Sequence, residues 1–157
     1  MDRPRRSVFH VSPGPRQQRA ALERWRAGQG RSLPSSSVTP TVSPAPESTV
    51  ADLRVLAWHP DLAASGAAQL NRRFRERFGR PMHQEAWAGW FAIKAVAELA
   101  LRGTATGDPA HRLLALRFDG HKGAPLRFDP ADYHLIQPLY VADASSRLLG
   151  EVSLPEE

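Results

Sequence analysis

The chain has 157 residues, no cysteine, 14 prolines, 11 glycines and a formal net charge of +5 at pH 7, with 41% apolar residues. Length allows one domain of ordinary size with a modest core. The lack of cysteine excludes a disulfide framework, a zinc ribbon, an iron–sulfur site and a cysteine nucleophile, and no apolar run reaches the length of a membrane span.

The charge is placed unevenly. Residues 1–50 hold eight Arg and three acidic residues, so the whole net charge lies in the N-terminal third. Arg3, Arg5 and Arg6 open the chain with no apolar stretch behind them, so no signal peptide is expected. Gln17 to Ala27 can form one short helix with a narrow stripe of Ala20, Ala21, Leu22 and Trp25. Without a partner such a helix is marginal in water. Residues 31–49 alternate Pro with Ser and Thr and read as a flexible linker. Three parts follow: a basic N-terminal segment 1–30, the linker 31–49, and a compact region 50–157. The basic arm suits an anionic partner or simply a solvated, disordered tail, and no nucleic-acid motif accompanies it.

After the linker, residues 50–58 suit a strand that ends at Trp58, before His59-Pro60. Ala63 to Phe78 reads as a helix, with Ala67, Leu70, Phe74 and Phe78 on one face and arginines on the rest. Gly79 and Pro81 end it. Met82 to Arg102 is apolar over more than half its circumference, which predicts a largely buried helix, with Gly103 as its terminator. Asp108-Pro109 is an N-cap followed by a proline at the first helical position, so a third, short helix follows. Pro125–Phe128, Gln137–Ala142 and Ser146–Val152 read as strands.

Chemical motifs are sparse. Six His (10, 59, 83, 111, 121 and 134) show no metal-ligand spacing, and no nucleophile elbow, zinc-protease or phosphate-loop motif is present. The sequence therefore points to no enzyme, no cofactor and no metal. Gly120-His-Lys-Gly123 reads as a turn, and Asp119 and Asp129 as turn and strand-end residues. Among the aromatics, Trp58, Trp87, Trp90 and Tyr140 have ligand potential. Trp90 reads as core. Trp87, like Glu85, opens its helix where a side chain can face a cleft, although packing suits it equally. Trp58 sits at a strand end, a common ligand position in α/β proteins.

The order of these parts resembles the C-terminal portion of a type 1 periplasmic binding protein, the leucine/isoleucine/valine-binding family of ABC-transporter substrate-binding proteins. The residues that carry it are Trp58-His59, Gln69-Leu-Asn, Arg73-Phe, Gly79-Arg-Pro-Met82, Trp87-Ala-Gly89, the turn bearing Phe118, Gly120, Gly123 and Phe128, and Gln137-Pro-Leu139. The stretches Trp58-His59, Gly66-Ala, Gln69-Leu-Asn, Arg73-Phe, Gly79-Arg-Pro-Met82 and Gln137-Pro-Leu139 look closest to the subgroup linked to PQQ-dependent alcohol oxidation. The resemblance implies an α/β fold: a partial lobe with three helices and a short mixed sheet, beside a disordered basic N-terminal region. It implies a solute-binding component of an ABC importer for a small polar solute (an amino acid, an amide or a compound of alcohol metabolism). A permease and an ATPase would be its partners, and the periplasm its place, although without a signal peptide the chain as encoded could stay in the cytoplasm. Family members have a complete N-terminal lobe, so this chain reads as truncated, with half the contacts of a two-lobe cleft. Trp58, His59, Glu85 and Trp87 are the candidate ligand-binding residues. A degenerate product, or a small interaction protein using its basic arm, is the alternative.

Overall fold

The computed structural model describes residues 7–32, 53–102 and 107–153. In chain order these residues form α1 (Pro15–Arg26), β1 (Arg31–Ser32), β2 (Arg54–Leu56), α2 (Ala67–Phe78), α3 (Gln84–Leu101), α4 (Pro109–Ala115), β3 (Phe118–Asp119), β4 (Pro125–Phe128), β5 (Leu135–Ile136), β6 (Leu139–Ala142) and β7 (Leu148–Val152). The strands make two sheets, one ordered β1-β7-β6-β2 and one ordered β3-β4-β5. The α/β character matches the sequence expectation, but the sheet is not mixed. Every strand pair is antiparallel. The turns from β3 to β4 and from β6 to β7 are too short for the crossover that a parallel neighbour needs.

Strand β6 explains how the layers stack. All four of its residues are buried. Successive side chains point to opposite faces. Leu139 and Val141 join Val152 and Ala21 in a small cluster under α1, while Tyr140 joins the main core around Trp58, Trp87 and Phe91. Two helical layers thus enclose one strand.

The expected disordered N-terminal region is corrected over residues 7–32. The narrow stripe of α1 finds the outer face of β6 and β7, and Ala21 is completely buried there. Gln17 Nε2 donates to the Leu135 carbonyl at 3.2 Å, and Gln17 Oε1 accepts from Gly14 N–H at 3.1 Å, closing the helix start. Arg31 and Ser32, placed in the linker by composition, pair with Glu151 and Gly150 instead. The rest of that linker, residues 1–6 and Gly103 lie outside the described residues.

The two helices after β2 are shorter than their apolar runs. Helix α2 buries Ala67 and Asn71 and half-buries Leu70 and Phe74, but leaves Phe78 58% exposed. Helix α3 buries Trp87, Phe91 and Ala95, four residues apart, on one stripe. Its opposite side carries Ile93 and Val96, 75% and 63% exposed, and Leu101 at its last turn is 86% exposed. The expectation of a largely buried helix is corrected: one stripe is covered and the other side is open. Helix α4 begins as its sequence demands, with Asp108 Oδ1 accepting from Ala110 N–H at 3.2 Å ahead of Pro109.

Candidate functional site

Two cavities flank the end of β2. The smaller, about 380 Å³, is lined by Trp58, His59 and Glu85 together with Arg54, His83 and Gln84. Three of the four sequence candidates are therefore brought together. Trp87 is not: it is fully buried in the core, stacked on Trp58 with ring centroids 5.6 Å apart, and its indole N–H donates to the Gly120 carbonyl at 3.3 Å. Its position one turn into α3 faces the small sheet rather than a cleft.

Trp58 and His59 are themselves held by the fold. Trp58 Nε1 donates to Asn71 Oδ1 at 2.9 Å, and Asn71 Nδ2 donates back to the carbonyls of His59 (3.4 Å) and Leu62 (3.2 Å). His59 Nδ1 accepts from Asp61 N–H at 3.2 Å, which leaves Nε2 as the donor to the Ser146 carbonyl at 2.8 Å. Both ring nitrogens are used. Glu85, in the first turn of α3, is the freest of the three: exposed, and favourably placed at the positive end of the helix.

The larger cavity measures about 560 Å³ and shares Asp61 with the smaller one. Its lining comes from the 61–67 loop, the turn 121–124, and β1, β6 and β7, and includes Arg31, Asp61, Ser65, His121, Lys122, Tyr140 and Glu151. Two tight turns meet at its edge. Ser65 and His121 both have left-handed backbones, with φ of 55° and 59°. Gly66 and Gly123 stand beside them because nothing larger fits. A Cβ on Gly66 would lie 2.8 Å from His121 Nδ1, and one on Gly123 2.5 Å from Ser65 Oγ. Non-glycine residues in this conformation cost of order 1–3 kcal/mol each and gather at functional sites. The ring of His121 stacks on Trp90 at 5.4 Å, which fixes its direction.

Lys122 anchors the turn. Its ammonium donates to Gln137 Oε1 at 2.6 Å, to the Pro138 carbonyl at 3.2 Å and to the Ala57 carbonyl. It also sits 4.0 Å above the Trp87 ring and 5.3 Å from that of Tyr140. Burial pulls its pKa well below the usual lysine value, against the opposing charge of Glu151. Three acceptors match the three donors of an ammonium, so the group is spent on structure. Tyr140 differs. It is only 2% exposed and borders the cavity, yet among the described residues its hydroxyl has no hydrogen-bond partner. Burial above all, then the charge of Glu151, raises its pKa well above the usual phenol value, with Arg31 acting against them. It therefore stays a neutral donor. Arg31 and Glu151 form an ion pair at 3.3 Å on the same rim.

Sequence reasoning missed this second set. Tyr140 stood among the candidate aromatics, and Gly120-His-Lys-Gly123 stood out as a turn. Neither observation linked them to Arg31 and Glu151, which arrive through the pairing of β1 with β7 and of β7 with β6.

No protein-family model matches the chain, and no curated protein does. Among solved structures, the chain is similar to a solute binding protein of an ABC transporter from Rhodopseudomonas palustris BisB5, solved in complex with 3,4-dihydroxybenzoic acid. The identity is 13% and the TM-score 0.52, over 66% of this chain and 31% of that one. It is also similar to an ABC transporter substrate-binding protein from Sphaerobacter thermophilus, with 15% identity and a TM-score of 0.50, over 66% of this chain and 30% of that one. Its fold is that of part of a solute-binding protein. The chain spans just under a third of each neighbour's length. At these identities the likeness concerns the fold, and function rests on the site.

Proposed function

We propose that the chain provides part of a solute-binding site for an ABC importer, and that it acts by binding rather than by catalysis. The observation that carries this reading is Tyr140: a buried tyrosine that lines the larger cavity and whose hydroxyl has no hydrogen-bond partner among the described residues. A small polar solute accepting from that hydroxyl would lie with His121 and the Arg31–Glu151 pair on its flanks. A mostly preformed pocket with a few convergent polar groups is the usual form of such sites. In this reading Trp58, His59 and Glu85 serve the adjoining smaller cavity, and Trp87 supports Trp58 from the core.

The solute class proposed is an amino acid, an amide or a small organic acid. The proposed link to alcohol metabolism rests on sequence resemblance alone, in Trp58-His59, the 66–74 stretch, Gly79-Arg-Pro-Met82 and Gln137-Pro-Leu139. A permease and an ATPase are the proposed partners and the periplasm the proposed place. A site from one lobe offers half the contacts of a closed cleft, so affinity of the isolated chain is in the millimolar range. Titration of the ¹⁵N-labelled chain with a panel of amino acids and small acids tests this. The expected result is saturable shifts of Tyr140 and His121 amides, reduced at least fivefold in affinity by Tyr140→Phe. Shifts that ignore Tyr140→Phe, or no shifts at all, overturn the assignment of this cavity.

A further inference from the structure

A second surface, which lines neither cavity, is the exposed C-terminal half of α2. Six of the nine residues from Arg72 to Arg80 are Arg72, Arg73, Arg75, Arg77, Phe78 and Arg80, and all six are exposed. One acid, Glu76, stands among them, and it is taken by Arg72 at 3.8 Å. The side chains of Arg73, Arg75, Arg77 and Arg80 have no ion pair or hydrogen bond among the described residues. Four guanidinium groups thus project unpaired from about 10 Å of helix and its C-terminal turn. Folding gives no reason for this density. The core of α2 needs only Ala67, Leu70, Asn71 and Phe74, and none of the arginines packs in it.

Phe78 adds a second character to the surface. Its ring leans on Phe74 at 4.6 Å but is 58% exposed, beside Arg77 and just before Arg80. Arginine forks match phosphate oxygens. An open aromatic ring beside them matches the edge of a hydrocarbon layer. The combination of cationic side chains with one apolar residue on a surface helix suits the plane of a bilayer. A nucleic-acid surface for single strands uses several stacking aromatics, and here there is one. The opposite charge of an anionic headgroup layer complements four free arginines together.

We propose that the exposed C-terminal half of α2 and its C-terminal turn, from Arg73 to Arg80, is a docking surface for anionic phospholipid, with Arg73, Arg75, Arg77 and Arg80 on the headgroup phosphates and Phe78 at the acyl boundary. This inference is independent of the solute reading and uses no residue of either cavity. The test is co-sedimentation of the full chain with vesicles of 30% phosphatidylglycerol in phosphatidylcholine, and with phosphatidylcholine vesicles alone. Binding is expected on the first only, falling at least tenfold when NaCl rises from about 50 to about 500 mM. Each arginine near an anionic surface contributes about fivefold, so changing all four to Gln lowers partitioning at least about 100-fold. Changing all four to Lys keeps it within about threefold, and Phe78→Ser removes the part that survives high salt. Circular dichroism of each variant reports its fold, and the Lys variant keeps the test open if the Gln variant fails to fold. Equal binding to the neutral vesicles, binding that ignores the Gln substitutions, or preference for a single-stranded oligonucleotide over the anionic vesicles each overturns the proposal.

Discussion

Helices α1 and α3 reverse what their sequences promise. Helix α1 is polar and arginine-rich, yet its small apolar stripe is closed over β6 and β7 and Ala21 is completely buried. Helix α3 is apolar nearly all round, yet Ile93, Val96 and Leu101 face solvent. Hydrophobicity sets how much a helix can gain by burial. What it does bury is set by whether a complementary surface reaches it. The outer face of β6 supplies that surface to α1, through Leu139 and Val141. Among the described residues nothing supplies one to the outer stripe of α3.

The strongest way to break this comparison is from the covered side of α3. Trp87→Ala removes a ring that stacks on Trp58 and Phe91 and supports Lys122. A loss of about 4 kcal/mol is expected, read from chemical denaturation. Ala21→Asp tests the cover of α1. It buries a carboxylate against Leu139, Val141 and Val152 and costs about 2–3 kcal/mol. Hydrogen exchange on the same variant should show the amides of α1 opening before those of α3. A cost below about 0.5 kcal/mol would mean that α1 does not cover the sheet in solution.

Gly66→Ala probes the turn between the cavities and α2. Its φ of 87° and the nearby His121 ring make the cost about 1–2 kcal/mol, with altered His121 chemical shifts as the local sign. The open stripe of α3 predicts the reverse behaviour. Val96→Gln and Ile93→Gln should change stability by no more than about 0.5 kcal/mol. A larger loss would show that the stripe is covered in solution.

The smallest effect concerns the β6–β7 turn. Asp143 accepts from the Ser145 hydroxyl at 2.6 Å and from Arg147 N–H at 2.9 Å, and these bonds, in that order, hold its pKa below the usual carboxylate value. Its folded pKa lies below its unfolded one, so its stabilising contribution is present above pH 4 or so and is lost as pH falls through the folded value. Asp143→Asn should flatten slightly the acid limb of the melting temperature against pH, leaving the neutral limb parallel to that of the parent.

Much of this was legible in the sequence, for physical reasons. The N-cap Asp108 before Pro109 and the glycine after Phe78 act within a few residues, so the ends of α4 and α2 could be read locally. Which stripe of α3 is buried was not legible, because a run apolar over more than half its circumference does not single out Trp87, Phe91 and Ala95. Two-residue strands such as β1 and β5 carry no periodicity and were invisible. Trp58-His59 looked like a ligand position because it ends a strand, but Asn71, a turn and more into α2, takes the indole and clamps the loop. A side-chain partner of that kind leaves no spacing signal. The larger cavity draws on residues 31, 65, 121, 140 and 151, which only the strand register assembles.

Strands β1 and β2 hold opposite edges of the same four-stranded sheet, three strand spacings or about 14 Å apart. The polypeptide joining Ser32 to Leu53 is therefore tied at both ends by pairing that does not depend on its own continuity. Severing it would leave two pieces, one ending near Ser32 and still seated through Ala21 and β1. The protein would become a bimolecular complex, and the worth of its N-terminal layer would be read as a dissociation constant. The joining segment's contribution is then an effective concentration, set by its length against that span.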